Sequence, residues 1–195
     1  MLSPKKSLNI LKKTNALLEG HFVLSSGLHS SKYVQCAKLL SFPSEAEKIC
    51  KALAKKIKKN FKKIDIILAP AIGGIIVGYE IGKILKKETI FCERVKGKFT
   101  LRRGFEIKKN SKVLIIEDVI TTGKSSMECV QIIKRSKASL VGFAAIIDRS
   151  TKGTLKIKKK IVSHLKINVP TFRSNKLPKD LKLIPITTPG SRFIK

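Results

Sequence analysis

The sequence predicts an α/β fold of the doubly wound kind, a mainly parallel sheet with helices on both faces. Three observations predict it. Short, almost wholly apolar runs recur at 64–70 (IDIILAP), 112–118 (KVLIIED) and 139–148 (SLVGFAAIID). Strands buried on both faces read this way, whereas a half-exposed antiparallel sheet alternates. Segments with helical apolar spacing lie between the runs. The polar motifs fall just after the runs, and open parallel sheets bind ligands at the carboxyl ends of their strands.

The elements follow in order. Ser3-Pro4 supplies an N-cap and a first-position proline for a helix running to residues 19–20. Strand-like pieces follow at 22–24 and 32–36. Pro43 opens a second helix to about residue 60, with Ala46, Ile49, Cys50, Leu53, Ala54 and Ile57 on one face. The strand at 64–70 ends in the turn Ala71-Ile72-Gly73-Gly74, and a helix continues to residue 87. A strand at 89–95 precedes an insert at 96–109, read as a mobile loop followed by a short hairpin arm. After the strand at 112–118, residues 121–137 turn into a helix that leads to the strand at 139–148. The stretch from 151 onward is rich in Pro and Lys and returns to cover the site with the N-terminal segment.

A chain of 195 residues fits one domain, and 43% hydrophobic residues suffice for a core. No apolar stretch reaches the roughly 18 residues of a membrane helix. The N-terminus reads as an amphipathic helix, not a signal peptide. Cys36, Cys50, Cys92 and Cys129 lack metal-ligand spacing and sit in apolar segments, as buried reduced thiols in the cytoplasm would. Lys+Arg 42 against Asp+Glu 13 gives +29. Only seven of these cations are Arg and aromatics are 6%, so the charge reads as a solvated lysine surface, with nucleic acid not the primary partner. The field still attracts a polyanionic small substrate.

The strongest signal is VLIIEDVITTGKSS (113–126). A buried strand ends in Glu117 and Asp118, passes Val119 and Ile120, and reaches Thr121, Thr122, Gly123, Lys124 and Ser125 at a helix start. Amides and hydroxyls there can cradle a phosphate, and Gly123 permits close backbone approach. The two acids can accept bonds from vicinal sugar hydroxyls and favour a cation. The run is no Walker loop, because Asp118 stands where its first glycine belongs. A turn whose acids and threonines merely cap the helix is the plainer reading, but adjacent acids at a buried strand end are costly without a ligand.

These residues resemble the type I phosphoribosyltransferases, whose signature is an apolar strand, two acids, two residues and a Thr/Gly turn. The resemblance implies that fold, with a small hood from about 1–40 and 155–195 over a core of 43–150. It implies phosphoribosyl pyrophosphate as substrate, held by Glu117 and Asp118 at the ribose hydroxyls, by residues 119–125 at the 5′-phosphate and by Gly73 and Gly74 at the pyrophosphate. The lysine many members carry in that last turn is missing here. Mg²⁺ is implied, mainly through the substrate, with Asp118 a possible ligand.

Three further stretches resemble the orotate-specific subgroup: GHFVLSSGLHSSKYVQ (20–35), ERVKGKFTLRRGFEI (93–107) and AAIIDRS (144–150). With PGSR (189–192), the resemblance covers nearly the whole chain. It places Thr121, Arg149, Ser26 and Tyr33 at orotate. A planar guanidinium suits orotate's carboxylate, and Arg149 is a rare arginine at a strand's carboxyl end. Arg94, Lys96 and Lys98 are the loop cations expected at pyrophosphate and at the catalytic step, along with Asp118. Arg102 and Arg103 are expected to pair with acids or a neighbouring subunit, and His21 and His29 to hydrogen-bond the N-terminal segment. The resemblance also implies a homodimer. A purine phosphoribosyltransferase, or a regulator of this fold that binds RNA or DNA, are the competing functions.

Overall fold

The computed structural model describes residues 2–24, 26–151, 155 and 157–187. The first half holds α1 (Pro4–Lys13), β1 (Leu17–Val23), β2 (His29–Val34), α2 (Cys36–Leu40), α3 (Pro43–Asn60), β3 (Ile66–Pro70), α4 (Gly73–Leu85) and β4 (Glu88–Val95). The second half holds β5 (Lys98–Leu101), β6 (Lys112–Ile120), α5 (Lys124–Arg135), β7 (Ser139–Asp148), β8 (Ile161–Lys166), β9 (Thr171–Phe172), α6 (Lys179–Lys182) and β10 (Ile186–Thr187). Among the described residues no helix is long and apolar enough to cross a membrane.

Six strands form the core sheet in the order β5-β4-β3-β6-β7-β8. Only β4 and β5 pair antiparallel; every other neighbour is parallel. The chain moves from β3 to β4 on one side and from β6 through β7 to β8 on the other. The order therefore reverses between β3 and β6, and sheets of this kind form their ligand crevice outside the carboxyl ends of the strands at such a point.

The pleat divides β6 between two cores. Leu114 and Ile116 pack with Ile49, Leu53 and Ile57 of α3 and Val77 and Ile81 of α4. Val113 and Ile115 pack with Cys129, Ile132 and Ile133 of α5. Successive side chains point to opposite faces, so residue 117 must face α5 and residue 118 must face α4. Burial of these Leu and Ile side chains contributes roughly 1.5–3 kcal/mol each and fixes the register.

The termini build a second sheet of order β10-β1-β2-β9. Here the structure departs from the sequence reading twice. The first helix ends at Lys13 rather than at 19–20. Thr14 Oγ1 bonds back to the Ile10 carbonyl at 2.8 Å, Asn15 adopts φ +54°, and the following residues gain ladder bonds to β2. The segment 161–166 belongs not to the terminal sheet but to the core, where it pairs in parallel with β7. Its flanking lysines resemble a surface piece, yet Val162 and Leu165 are buried. The expected PGSR segment (189–192) lies outside the described residues.

Candidate active site

Glu117 and Asp118 occupy the last turns of β6, and the pleat sends them apart. Glu117 is 7% exposed, facing α5, and its Oε1 accepts a 2.8 Å bond from Ser126 Oγ. Burial pushes its carboxyl up to about 8; the Ser126 bond opposes this and the Asp118 charge adds to it. Asp118 faces α4. Burial raises its carboxyl too, against the Val119 N–H, which donates to Oδ1 at 2.8 Å. The two acids thus share a sheet edge but point to opposite faces of it, whereas the sequence reading gave both to one pair of vicinal sugar hydroxyls.

Gly73 and Gly74 explain how α4 comes so close. A Cβ at Gly73 would lie 2.7 Å from the Asp118 carboxyl, and one at Gly74 would lie 3.0 Å from the Ile116 carbonyl. The Gly-Gly turn is therefore a packing requirement, and the same absence of side chains seats the Asp118 carboxyl on the first turn of α4. The turn between β6 and α5 is built similarly. Gly123 adopts φ +72°, and a Cβ there would meet Ile157 at 2.7 Å. Thr121, Thr122 and Lys124 are exposed and Ser125 is half-buried. Thr122 Oγ1 accepts from the Lys124 N–H at 3.3 Å. The first amides of α5 have no partner within the helix and form an anion-ready end beside the two acids.

Arg149 closes the crevice from β7. Its N–H donates to the Ile120 carbonyl at 2.8 Å, which ties the end of β7 to the end of β6. Its Nε is buried and, among the described residues, without a hydrogen-bond partner. Burial lowers the guanidinium's pKa, while Tyr33 and Cys36 nearby favour its charge. Tyr33 comes from β2, so the terminal sheet supplies one wall; its ring packs 5.7 Å from that of Phe22. Ser26 is exposed in the turn joining β1 and β2. A buried donor without a partner costs roughly 1–3 kcal/mol, and the Arg149 Nε is such a donor.

Arg94, Lys96 and Lys98 lie on a tight hairpin. Lys96 (φ +48°) and Gly97 (φ +79°) close it, a pair of left-handed residues that matches the strand twist. The arm thus begins at 98, directly after a two-residue turn. Arg94 is already engaged: Nη1 donates to the Gly97 carbonyl at 2.6 Å, lies 2.8 Å from Glu128, and the guanidinium stacks 4.1 Å over Phe99. Lys96 and Lys98 are exposed. Arg102 and Arg103 pair with Glu93 at 3.7 and 3.2 Å.

Two residues at the site escaped the sequence reading. Ser126 closes the quoted motif but was given no role there; its position on α5 opposite Glu117 supplies one, and the pleat parity of β6 would have revealed it. Cys36 is buried against Asp118, its Sγ 3.8 Å from the Asp118 carbonyl. Burial, then the Asp118 charge, push this thiol up, so it stays a neutral donor. The histidines act structurally: His21 Nδ1 donates to the Ile184 carbonyl at 3.1 Å, so its Nε2 accepts from His29 at 2.7 Å.

The family model for the phosphoribosyl transferase domain matches residues 42–180. A curated orotate phosphoribosyltransferase of Parvibaculum lavamentivorans is 44% identical over 99% of this chain and 100% of its own length. This chain belongs to the orotate phosphoribosyltransferase family. Another relative of that name, from Caldicellulosiruptor saccharolyticus, is 44% identical over 96% of this chain and 97% of its own. The crystal structure of the orotate phosphoribosyltransferase of Aeropyrum pernix superimposes with a TM-score of 0.69 over 82% of this chain and 92% of that one; at 23% identity it speaks for the fold alone.

Proposed function

We propose that the chain transfers the phosphoribosyl group of phosphoribosyl pyrophosphate to orotate, giving orotidine 5′-monophosphate and pyrophosphate in pyrimidine nucleotide synthesis. The observation that carries this reading is the set of groups standing where the strand order reverses, at the carboxyl ends of the central strands. An anion-ready helix end, two acids and an unsatisfied buried arginine converge there from β6, α5 and β7.

The 5′-phosphate sits on the amides of 121–125, with the Thr121, Thr122 and Ser125 hydroxyls around it. Asp118 accepts from the ribose hydroxyls, and Glu117 joins it when its carboxyl turns from Ser126. Arg149 pairs with the orotate carboxylate while Tyr33, Thr121 and Ser26 frame the ring. The pyrophosphate lies against the amides of Gly73 and Gly74. Orotate's ring nitrogen forms the bond to the anomeric carbon, the carbon–oxygen bond to pyrophosphate breaks with its electron pair leaving on that oxygen, and the proton of the ring N–H passes to the departing pyrophosphate or to solvent. Fixing the phosphate, the hydroxyls and the base on three elements turns the displacement into a positioned, intramolecular-like event. Lys96 and Lys98 neutralise the leaving group or protonate it, and Arg94 braces their hairpin.

Among the described residues no group of three or more His, Cys, Asp or Glu forms a metal cage. That fits Mg²⁺, which usually binds one or two carboxylates and substrate phosphates rather than an all-protein cage. Asp118 is the residue that would hold it, and the ion would supply charge neutralisation at the pyrophosphate. We assign the active form to a cytoplasmic homodimer.

The test is pyrophosphate release with orotate, adenine, hypoxanthine and guanine offered in parallel with Mg²⁺. Turnover with orotate alone is expected. Turnover with a purine base, or none with orotate, would overturn the assignment.

A further inference from the structure

The positive charge of this chain is not spread evenly. Every parallel strand of the core sheet is entered from the same edge, opposite the crevice. Five segments lead into β3, β4, β6, β7 and β8: residues 58–63, 86–87, 108–112, 134–137 and 158–160. Fifteen of their twenty residues are Lys or Arg and none is acidic, against 42 cations in 195 residues for the whole chain. All fifteen except Lys112 are exposed. Among the described residues, none is in an ion pair with a carboxylate. Asp65, at the centre of this edge, already accepts the Lys112 N–H at 2.8 Å.

Helix capping does not account for the pattern. Lysines at the ends of α3, α4 and α5 favour the negative helix terminus. Among the described residues the segments 108–112 and 158–160 follow no helix, yet they are basic like the others. Neighbouring strands lie about 4.8 Å apart, so five starts form a row roughly 20 Å long. Such a row of unpaired cations gains by displacing the counterions of a linear polyanion.

We propose that the edge at the amino ends of the core strands is a docking surface for the phosphate backbone of a nucleic acid, bound without sequence reading. Fourteen of the fifteen cations are Lys, point charges suited to phosphates, and Arg135 is the sole guanidinium fork. A membrane surface is the weaker fit. The large exposed apolar side chains (Phe42, Ile72, Ile76, Tyr79, Val95, Leu183, Ile184, Ile186) all lie outside these segments, so the edge has no wedge for the acyl boundary. The surface faces away from the crevice and leaves it open.

Fluorescence anisotropy with a labelled mixed-sequence RNA strand, a DNA duplex and phosphatidylserine-rich vesicles tests this. The full chain is compared with an edge variant (Lys62→Gln, Lys63→Gln, Lys108→Gln, Lys109→Gln) and an equal-charge control on α1 and α2 (Lys5→Gln, Lys6→Gln, Lys13→Gln, Lys38→Gln). The edge variant should bind RNA and DNA at least ~10-fold more weakly at ~50 mM salt with a shallower salt slope, and the control less than ~2-fold more weakly. A second edge variant (Lys86→Gln, Lys87→Gln, Lys134→Gln, Lys137→Gln) repeats the test should the first fail to fold, and phosphoribosyl turnover should match the wild type in each folded variant. Equal losses in edge and control variants, stronger binding to vesicles than to either nucleic acid, or no nucleic-acid binding at low salt would overturn the proposal.

Discussion

Replacing Glu117 by Gln tests how the site's electrostatics follow from the pleat of β6. The carboxyl is 7% exposed and held at about 8, against an ordinary 4.5. A folded-state pKa above the unfolded one means that the fold holds the proton more tightly. Its contribution is fully present below pH ~4.5 and is lost as pH rises through ~8. A shift of about 3.5 units at about 1.36 kcal/mol each sets a ceiling near 5 kcal/mol. Local relaxation and water entry reduce it, so about 2–4 kcal/mol is expected. Gln cannot ionise, and its carbonyl still accepts from Ser126. Denaturant unfolding at pH 5 to 8.5 should therefore show the variant gaining on the wild type by that amount as pH rises, with Ser126→Ala widening the gap because it removes the bond that lowers the wild-type carboxyl. A variant-minus-wild-type difference constant within about 0.5 kcal/mol across this range would refute the reasoning, since that is the scatter of an ordinary surface change.

Three further outcomes follow from the same geometry. Arg149→Ala should raise the orotate KM on the order of 100-fold with little change in that for phosphoribosyl pyrophosphate, and Arg149→Lys should recover only part of it, because an ammonium lacks the paired fork; steady-state kinetics with each substrate varied checks this. Gly73→Ala places a methyl 2.7 Å from the Asp118 carboxyl, so kcat/KM should fall at least ~10-fold, a loss of ~1.4 kcal/mol in transition-state binding, while far-UV circular dichroism stays unchanged. Lys96→Ala and Lys98→Ala should lower kcat at unchanged thermal stability, because both side chains are exposed; Arg94→Ala should lower stability as well, because its guanidinium holds the hairpin to Glu128 and Phe99, and thermal melts separate the two cases.

The sequence made the core legible where local and tertiary demands agree. The runs at 64–70, 112–118 and 139–148 are apolar on both faces because helices cover both faces, and no local competitor obscures that pattern. Pro43 and the apolar stripe of α3 mark a helix by the same agreement. The end of α1 was not legible, because LLEGHFV serves helix and strand equally until pairing with β2 decides. Likewise, 161–166 is too short and too lysine-flanked to declare itself a core strand; burial against β7 settles it. At the site, the motif located the two acids at the end of β6 and the turn that opens α5, and the rarity of arginine pointed to Arg149 at the end of β7. The divergence of Glu117 from Asp118 and the role of Ser126 depend on pleat parity, and the role of Cys36 depends on Asp118, distant in sequence. Arg94 looked like a free loop cation because nothing local reveals Glu128 on α5.

The most direct test of the central claim is a crystal structure of the chain soaked with phosphoribosyl pyrophosphate and Mg²⁺. The 5′-phosphate is expected on the amides of 121–125, the ribose hydroxyls within hydrogen-bond reach of Asp118, and the pyrophosphate against Gly73 and Gly74. A sugar phosphate bound elsewhere, with the crevice between β3 and β6 vacant at saturating ligand, would contradict it.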